Sequence, residues 1–399
     1  MTALRMRARD FLTDDQLAEV RQRATWKGAA LIAHAWTLII AAIALVAWWP
    51  NPLTYIFAVA IIGSRQLGLA ILMHDGAHGC LSADEKTNLT LSQWFCAYPL
   101  FAETRSYRRY HLQHHARTQQ EDDPDLVLSA PFPITKLSYR RKFIRDITGQ
   151  TGYQQRKAQL LNALGPKDWS WRQRAAHFWE TLGPQCVVNG IMFAALAAAG
   201  VWWAYPLLWL VPLLTWMMVI TRIRNIAEHA VVPDSSDPLR NTRTTHANFL
   251  ERLFIAPYYV NYHLEHHLLF YVPCYNLPKV HRLLSASRYA DRMEVQPNYA
   301  SVLRLATAKP NREDRPGQLV NSARRARAGA DVDANQTAGR VLRGLFPVEC
   351  CSKFPSRLDS AAPDGVYGPL WSMIRNHGPR NHGLRPGVNR LPVQNRDHA

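Results

Sequence analysis

The hydrophobic residues of this chain fall into two blocks, and each block reads as a pair of long apolar segments joined by a tight turn. The first segment, 29–49, is almost uncharged and has about 20 residues, the length a helix needs to cross the hydrocarbon core of a bilayer. Trp48 and Trp49 close it like an interfacial aromatic belt, and Pro50 and Pro52 turn the chain. The second, 53–73, contains Arg65 and Gln66; a charge inside a span is costly, so Arg65 is expected to point into the protein. The third covers 186–203 and ends on Trp202 and Trp203, and Pro206 turns the chain into the fourth, 207–223. Residues 88–102 are apolar but too short to span, which predicts a buried or re-entrant segment.

Polar stretches fill the rest. In the N-terminal segment, 1–28, Thr13 and Gln16 make a capping box ahead of Leu17 and Val20. This predicts a short amphipathic helix lying against the membrane or the protein, or else a solvated one. Within a long basic region, Trp171, Ala175, Phe178, Trp179 and Leu182 share a helical stripe opposite Arg172 and Arg174. That stripe fits a helix lying in the membrane surface, with a core-facing amphipathic helix as the alternative. Residues 268–306 read as short helices and turns. Residues 309–399, rich in Arg, Pro, Gly and Asn without apolar periodicity, read as a disordered basic tail, so the expected membrane domain is 29–308.

The fold expected is an all-α integral membrane protein, with four transmembrane helices in two hairpins and a helical cap. Two hairpins leave both termini and all of 74–185 on one side, while the other side shows only 50–52 and 204–206, without Lys or Arg. The positive-inside rule places the basic side in the cytoplasm. The net charge of +17 would also suit nucleic acid, but no nucleic-acid motif accompanies it, and a basic face on anionic lipid accounts for it. Six cysteines without a CxxC pair argue against a disulfide framework, a zinc knuckle or an iron–sulfur cluster. The polar start predicts no cleaved signal peptide.

Histidines carry the chemistry. His263, His266 and His267 stand at offsets 0, 3 and 4, as do His111, His114 and His115, and on a helix such offsets share one face. His74 and His78 are four apart, and so are Asn225 and His229. These places hold nine of the sixteen histidines, and each lies near a span end or on the cytoplasmic side. A structural zinc needs four ligands, so nine suggest two metal ions. Imidazole suits zinc, copper, iron and nickel alike, and the spacing does not choose among them. Asp75, Glu228, Glu265 and the acidic run of Glu121, Asp122, Asp123 and Asp125 are candidates for fixing imidazole tautomers. Glu228 and Glu265 point off the ligand faces of their own helices and suit a histidine of another. His34, His177, His246 and His281 lie outside any box and are expected to be structural.

The three boxes, 74–78, 111–115 and 263–267, with hydrophobic hairpins between them, resemble those of the membrane fatty acid desaturase family, whose superfamily also holds hydroxylases and ketolases. The flanks of His111, with Tyr107, and of His281, with Asn276, look like the bacterial acyl-lipid branch. The resemblance implies two iron ions on the cytoplasmic side and dioxygen as co-substrate, removing two hydrogens from the acyl chain of a lipid or fatty acyl thioester. It implies His74, His78, His111, His114, His115, His263, His266 and His267 as ligands, His229 as the ninth, and Asn225 as the holder of a metal-bound water. The third box opens with His263 and not glutamine, which counts against the front-end subgroup fused to cytochrome b5. With no His-Pro-Gly-Gly haem motif, the implied electron donor is separate, a ferredoxin or cytochrome b5 with its reductase. A diiron hydroxylase or ketolase acting on a carotenoid, sphingolipid or alkyl chain would carry the same boxes. A metal-binding membrane transporter is a third reading, disfavoured because transporter ligands sit near the bilayer midplane.

Overall fold

Helix α1, Asp14–Val20, starts where its capping box directs. Thr13 Oγ1 accepts from the Gln16 N–H at 3.3 Å and Gln16 Oε1 accepts from the Thr13 N–H at 3.0 Å. Leu17 and Val20 are buried, and the Asn276 amide donates to the Val20 carbonyl at 2.8 Å, so the helix is seated on the protein. The computed structural model describes residues 6–308; the tail read at 309–399 lies outside the described residues, as do 1–5.

Helices α2, Thr25–Trp48, and α3, Pro52–Ala77, pack along one another. Asn51 caps α3 by accepting from the N–H groups of Leu53 and Thr54 at 2.9 and 3.1 Å. The apolar stretch of α3 is 72% buried and that of α2 is 28%, so α3 is the axis on which the other elements are laid. Arg65 points inward, as expected. Its Nη2 donates to Ser64 Oγ at 3.0 Å and to the Leu253 carbonyl at 2.8 Å. Gly68 lets Tyr258 approach α3: a Cβ there would come within 2.5 Å of the Tyr258 ring.

The short apolar stretch after α3 forms α4, Glu85–Ser92, then a π turn at Gln93–Ala97 and a 3-10 turn at Tyr98–Leu100. Cys96, Ala97 and Leu100 are buried while Trp94 and Phe95 are exposed. Next come α5, Thr104–Arg117, capped by Glu103, then α6, Lys136–Ile147, and α7, Gln150–Ala163. Helix α7 meets the fourth apolar segment at Gly152, where a Cβ would stand 2.5 Å from the Leu214 carbonyl oxygen and 2.7 Å from its Cα.

Two expected boundaries shift. The stripe at 171–182 and the third span are one helix, α8, Trp171–Ala198, running straight through Pro184. A proline withholds one donor and crowds the carbonyl four residues back, yet the helix continues past it, and the Ser170–Gln173 capping box sets the start well before the apolar run. The helix then stops short of Trp202 at Gly200, whose φ of +75 turns the chain. The fourth segment, Tyr205–His229, is not one straight helix. It begins as a π turn at Tyr205–Leu210 and a short helix at Val211–Leu214, breaks at Thr215 (φ −119, ψ −87), and resumes as α9, Trp216–His229. Pro206 and Pro212 withhold donors in its first half. The second half carries Asn225 and His229 past the expected end at 223.

A two-residue strand β1, Thr244–Thr245, precedes α10, His263–Leu268, and α11, Leu277–Ser285. Strand β2, Val295–Gln296, pairs in parallel with β1 (Thr244 with Val295, Thr245 with Gln296), and α12, Tyr299–Ala306, follows. This small pairing is the departure from an all-α fold among the described residues. Four helical segments, α2, α3, α8 and Tyr205–His229, are long and apolar enough to cross a membrane by length and composition.

Candidate metal centre

Each element ends or turns so as to bring imidazoles to one place. Helix α3 delivers His74 on its last turn and His78 as its C-cap residue. Helix α5 presents His111, His114 and His115, α9 ends on His229, and α10 carries His263, His266 and His267. Tyr258 and Tyr259, with φ of 51 and 62, bend the chain into α10; such backbone costs of order 1–3 kcal/mol per residue and persists where the surroundings fix it. Here the ring of Tyr258 is fixed by the bond of its hydroxyl to His34 Nδ1 at 2.9 Å and by the Arg65 guanidinium 5.4 Å from its centroid.

The nine side chains form two groups. His74, His78, His111, His115 and His266 make one, and His114, His229, His263 and His267 the other, with one nitrogen from each member within 4.8 Å of the rest of its group. Both HxxHH boxes are split between the groups. Helix α5 sends His111 and His115 to the first and His114 to the second; α10 sends His266 to the first and His263 and His267 to the second. Close pairs within groups include His111 and His115 Nε2 at 2.9 Å and His229 and His263 Nε2 at 2.8 Å.

The donor chemistry fits metal ions. His74 Nε2 and both ring nitrogens of His78 are buried with no hydrogen-bond partner, which is rare for polar atoms unless something else satisfies them. Burial first, then the crowding of neighbouring imidazoles, holds His78, His111, His115, His263, His266 and His267 well below the usual histidine range. They are neutral at pH 7, the form that binds metal. His114 differs. Burial pulls it down, but the bond of its Nδ1 to Asp123 at 2.8 Å and the nearby Asp125 and Glu228 outweigh that and raise it.

Carboxylates surround the rings. Asp123, from the acidic run, orients His114. Asp75 lies 3.6 Å from His74 Nδ1 and accepts the Cys274 N–H at 2.9 Å. Glu228 pairs with Arg224 on its own helix and lies 3.6 Å from His263 Nδ1 on α10. Glu265, fully buried, accepts from Thr244 Oγ1 and meets His281 Nδ1 at 2.6 Å. His281 therefore stays outside both groups, as do His34, His177 and His246, but it braces the carboxylate beside His266. Two further neighbours had no structural role in the sequence reading, where Tyr107 counted only as a flank of the second box: Thr118 Oγ1, 3.2 Å from His267 Nδ1, and the Tyr107 ring, stacked on His111 at 5.1 Å. The second had a signal, since Tyr107 precedes His111 by four and so shares its face of α5.

A largely apolar cavity of about 390 Å³ runs up to this centre. Leu67, Ile71 and Met73 of α3 and Met217 and Met218 of α9 line it, and His74, His263, His266 and Asn225 close it. It therefore reaches both histidine groups.

Known proteins agree with this site. The family model described as fatty acid desaturase matches residues 47–297, a stretch that includes all nine histidines. Dihydrorhizobitoxine desaturase of Bradyrhizobium elkanii is 31% identical over 298 residues, covering 72% of this chain and 80% of the relative. The chloroplastic omega-6 fatty acid desaturase of Spinacia oleracea is 25% identical over 305 residues, covering 69% of this chain and 63% of the relative.

Proposed function

This chain belongs to the fatty acid desaturase family, and working from that membership we propose that it is a membrane-bound, oxygen-dependent diiron desaturase that introduces a double bond into the acyl chain of a lipid or fatty acyl thioester. The observation that carries the reading is the apolar cavity that ends on His74, His263 and His266, members of both imidazole groups. The Spinacia relative is named for a fatty acid and the Bradyrhizobium relative for dihydrorhizobitoxine; the apolar wall here favours an acyl chain.

In this reading the five-histidine group would hold one iron and the four-histidine group the other, and Asn225 would hold a water. Two irons so held would supply the means to reduce dioxygen at the expense of the substrate and an external donor, a ferredoxin or cytochrome b5 with its reductase. The balance is one dioxygen, two methylene hydrogens, two donated electrons and two protons, giving two waters and a carbon–carbon double bond. The residues of the chain do the positioning. Leu67, Ile71 and Met217 hold the substrate's methylenes in line and keep water from them, Tyr107 backs His111, and Asp123 and Glu228 hold His114 and His263. With the four spans as two hairpins, the positive-inside rule puts the boxes, their helical cap and both termini in the cytoplasm.

Product analysis tests this. Purified protein should carry about two irons per chain, and a host expressing it should gain acyl chains lighter by two hydrogens in its mass spectra. Hydroxylated chains instead would assign the site to the hydroxylase branch, and one zinc without iron would refute the diiron assignment.

A further inference from the structure

Helix α9 ends on His229, flanked by the buried Glu228 and Ala230. The final carbonyls of a helix have no partner within it, so a buried end needs donors from elsewhere. Arg243 supplies them. Its side chain is 1% exposed, and its Nη1 donates to the carbonyls of Ala230 at 2.9 Å and Ala227 at 3.3 Å. Its Nη2 donates to the Val231 carbonyl at 2.9 Å, where the backbone turns through a φ of +55. Glu294 Oε1 accepts from Nε at 2.9 Å and balances the charge. Gln119, just past α5, donates to the carbonyl of His229 itself at 3.1 Å.

This support bears on the metal centre because the His229 ring lacks the kind its neighbours have. In the four-histidine group, His114 Nδ1 meets Asp123 at 2.8 Å and His267 Nδ1 meets Thr118 Oγ1 at 3.2 Å. His263 Nδ1 lies 3.6 Å from Glu228. The Nδ1 of His229 is buried with no hydrogen-bond partner. The direction of that ring is therefore set from the backbone side, by the last turn of α9 and by what holds the turn.

The residues after Arg243 tie the same segment to α10. Thr244 Oγ1 donates to Glu265, the residue before His266. The Thr245 N–H donates to the Asn261 carbonyl at 3.0 Å, and Asn261 Nδ2 donates to the Thr245 carbonyl at 3.1 Å. All of 241–245 is buried. One buried segment thus fixes α9 against α10, and these two helices carry His229, His263 and His267, three of the four histidines in this group. The five-histidine group takes no member from α9.

Resting on the diiron reading, we propose that Arg243 is a positioning residue for one metal ion of the pair: it locks the end of α9 so that His229 completes the four-histidine group beside His263 and His267. Its rigid fork reaches four acceptors at once, which a lysine ammonium with three donors cannot do. Without the fork the last turn of α9 is released, and the ion that His229 helps to hold is weakened. The five-histidine group keeps all its ligands.

The test equilibrates full-length protein, loaded with iron(II) in detergent under argon, against graded amounts of a chelator and reads iron per folded chain. In Arg243→Met the interval between the midpoints for losing the two irons should widen about tenfold or more relative to wild type, leaving a plateau near one iron per chain. Arg243→Lys, which keeps a cation in place, should show the same plateau over a narrower interval. If Arg243→Met does not fold, Arg243→Lys alone decides. An arginine that merely stabilised the fold would loosen both irons alike, so variants that lose them with the wild-type interval, at whatever chelator concentration, overturn the inference and leave the diiron reading standing. A wild type that never holds more than one metal ion refutes the diiron reading, and the inference falls with it.

Discussion

His114 shows what a single carboxylate does at this site. Asp123 meets its Nδ1 at 2.8 Å, which fixes the ring and leaves the other nitrogen for an ion. Asp123→Asn should lower metal affinity about 10–100-fold while leaving the fold intact. His229→Ala, which removes one of four imidazoles from its group, should abolish product. Metal content and product per folded chain measure both; unchanged metal retention in Asp123→Asn would refute the orienting role. The same residues set a pH dependence. His78, His111, His115, His263, His266 and His267 are lowered on folding, so the stability they contribute is fully present above pH 6.5 and is lost as pH falls through their folded values. His114, raised, contributes the opposite way: its share is present below pH 6.5 and lost as pH rises, but it is a single group against these. The thermal midpoint of chelator-stripped protein should therefore fall between pH 7 and pH 5, and a flat profile would contradict the burial argument. Spacing announced that the histidines of each box would share a helix face, because offsets of 3 and 4 do so; that His229 joins them came from the family resemblance and not from spacing. It could not announce the bond between Glu265 and His281, two residues brought together only when α11 folds back on α10.

Among the elements, the close contact of α7 with the fourth segment is the sharpest constraint. A Cβ at Gly152 would strike the backbone of Leu214, which has no side-chain freedom to yield. Gly152→Ala should cost about 1–3 kcal/mol through overpacking. Gly190→Ala in α8, where a Cβ meets nothing within 4 Å, should instead stabilise by roughly 0.5–1 kcal/mol. Thermal midpoints in detergent separate the two, and equal effects would mean the contact is slack. The existence of the apolar segments was legible from length and charge, since few other patterns give about 20 apolar residues. Their ends were not. Hydropathy changes where the solvent changes, whereas a helix stops where its backbone bonds stop, so α8 began at Trp171 and α9 ran on to His229. The break at Thr215 also escaped, because Pro206 read as the turn before the span and Pro212 does not interrupt the apolar run of 207–223.

For the whole molecule, orientation is the quantity still to be measured. If both loops that lack Lys and Arg face away from the cytoplasm, a membrane-impermeant thiol reagent should label Pro50→Cys in intact cells and should reach Arg105→Cys only after lysis. Both positions are exposed, so access reports sidedness and not burial; the reverse pattern would invert the topology. The division of each HxxHH box between the two histidine groups has a consequence of its own. Helices α5 and α10 each face both groups, so in the proposed two-iron site whichever ion arrived first would order three of the other's four or five ligands. The entropy of arranging those turns is spent once, and the second ion meets a site already assembled. Chains carrying a single ion should accordingly be scarce. Under limiting iron the population would divide into empty and doubly filled molecules, and uptake would rise sigmoidally with the metal supplied.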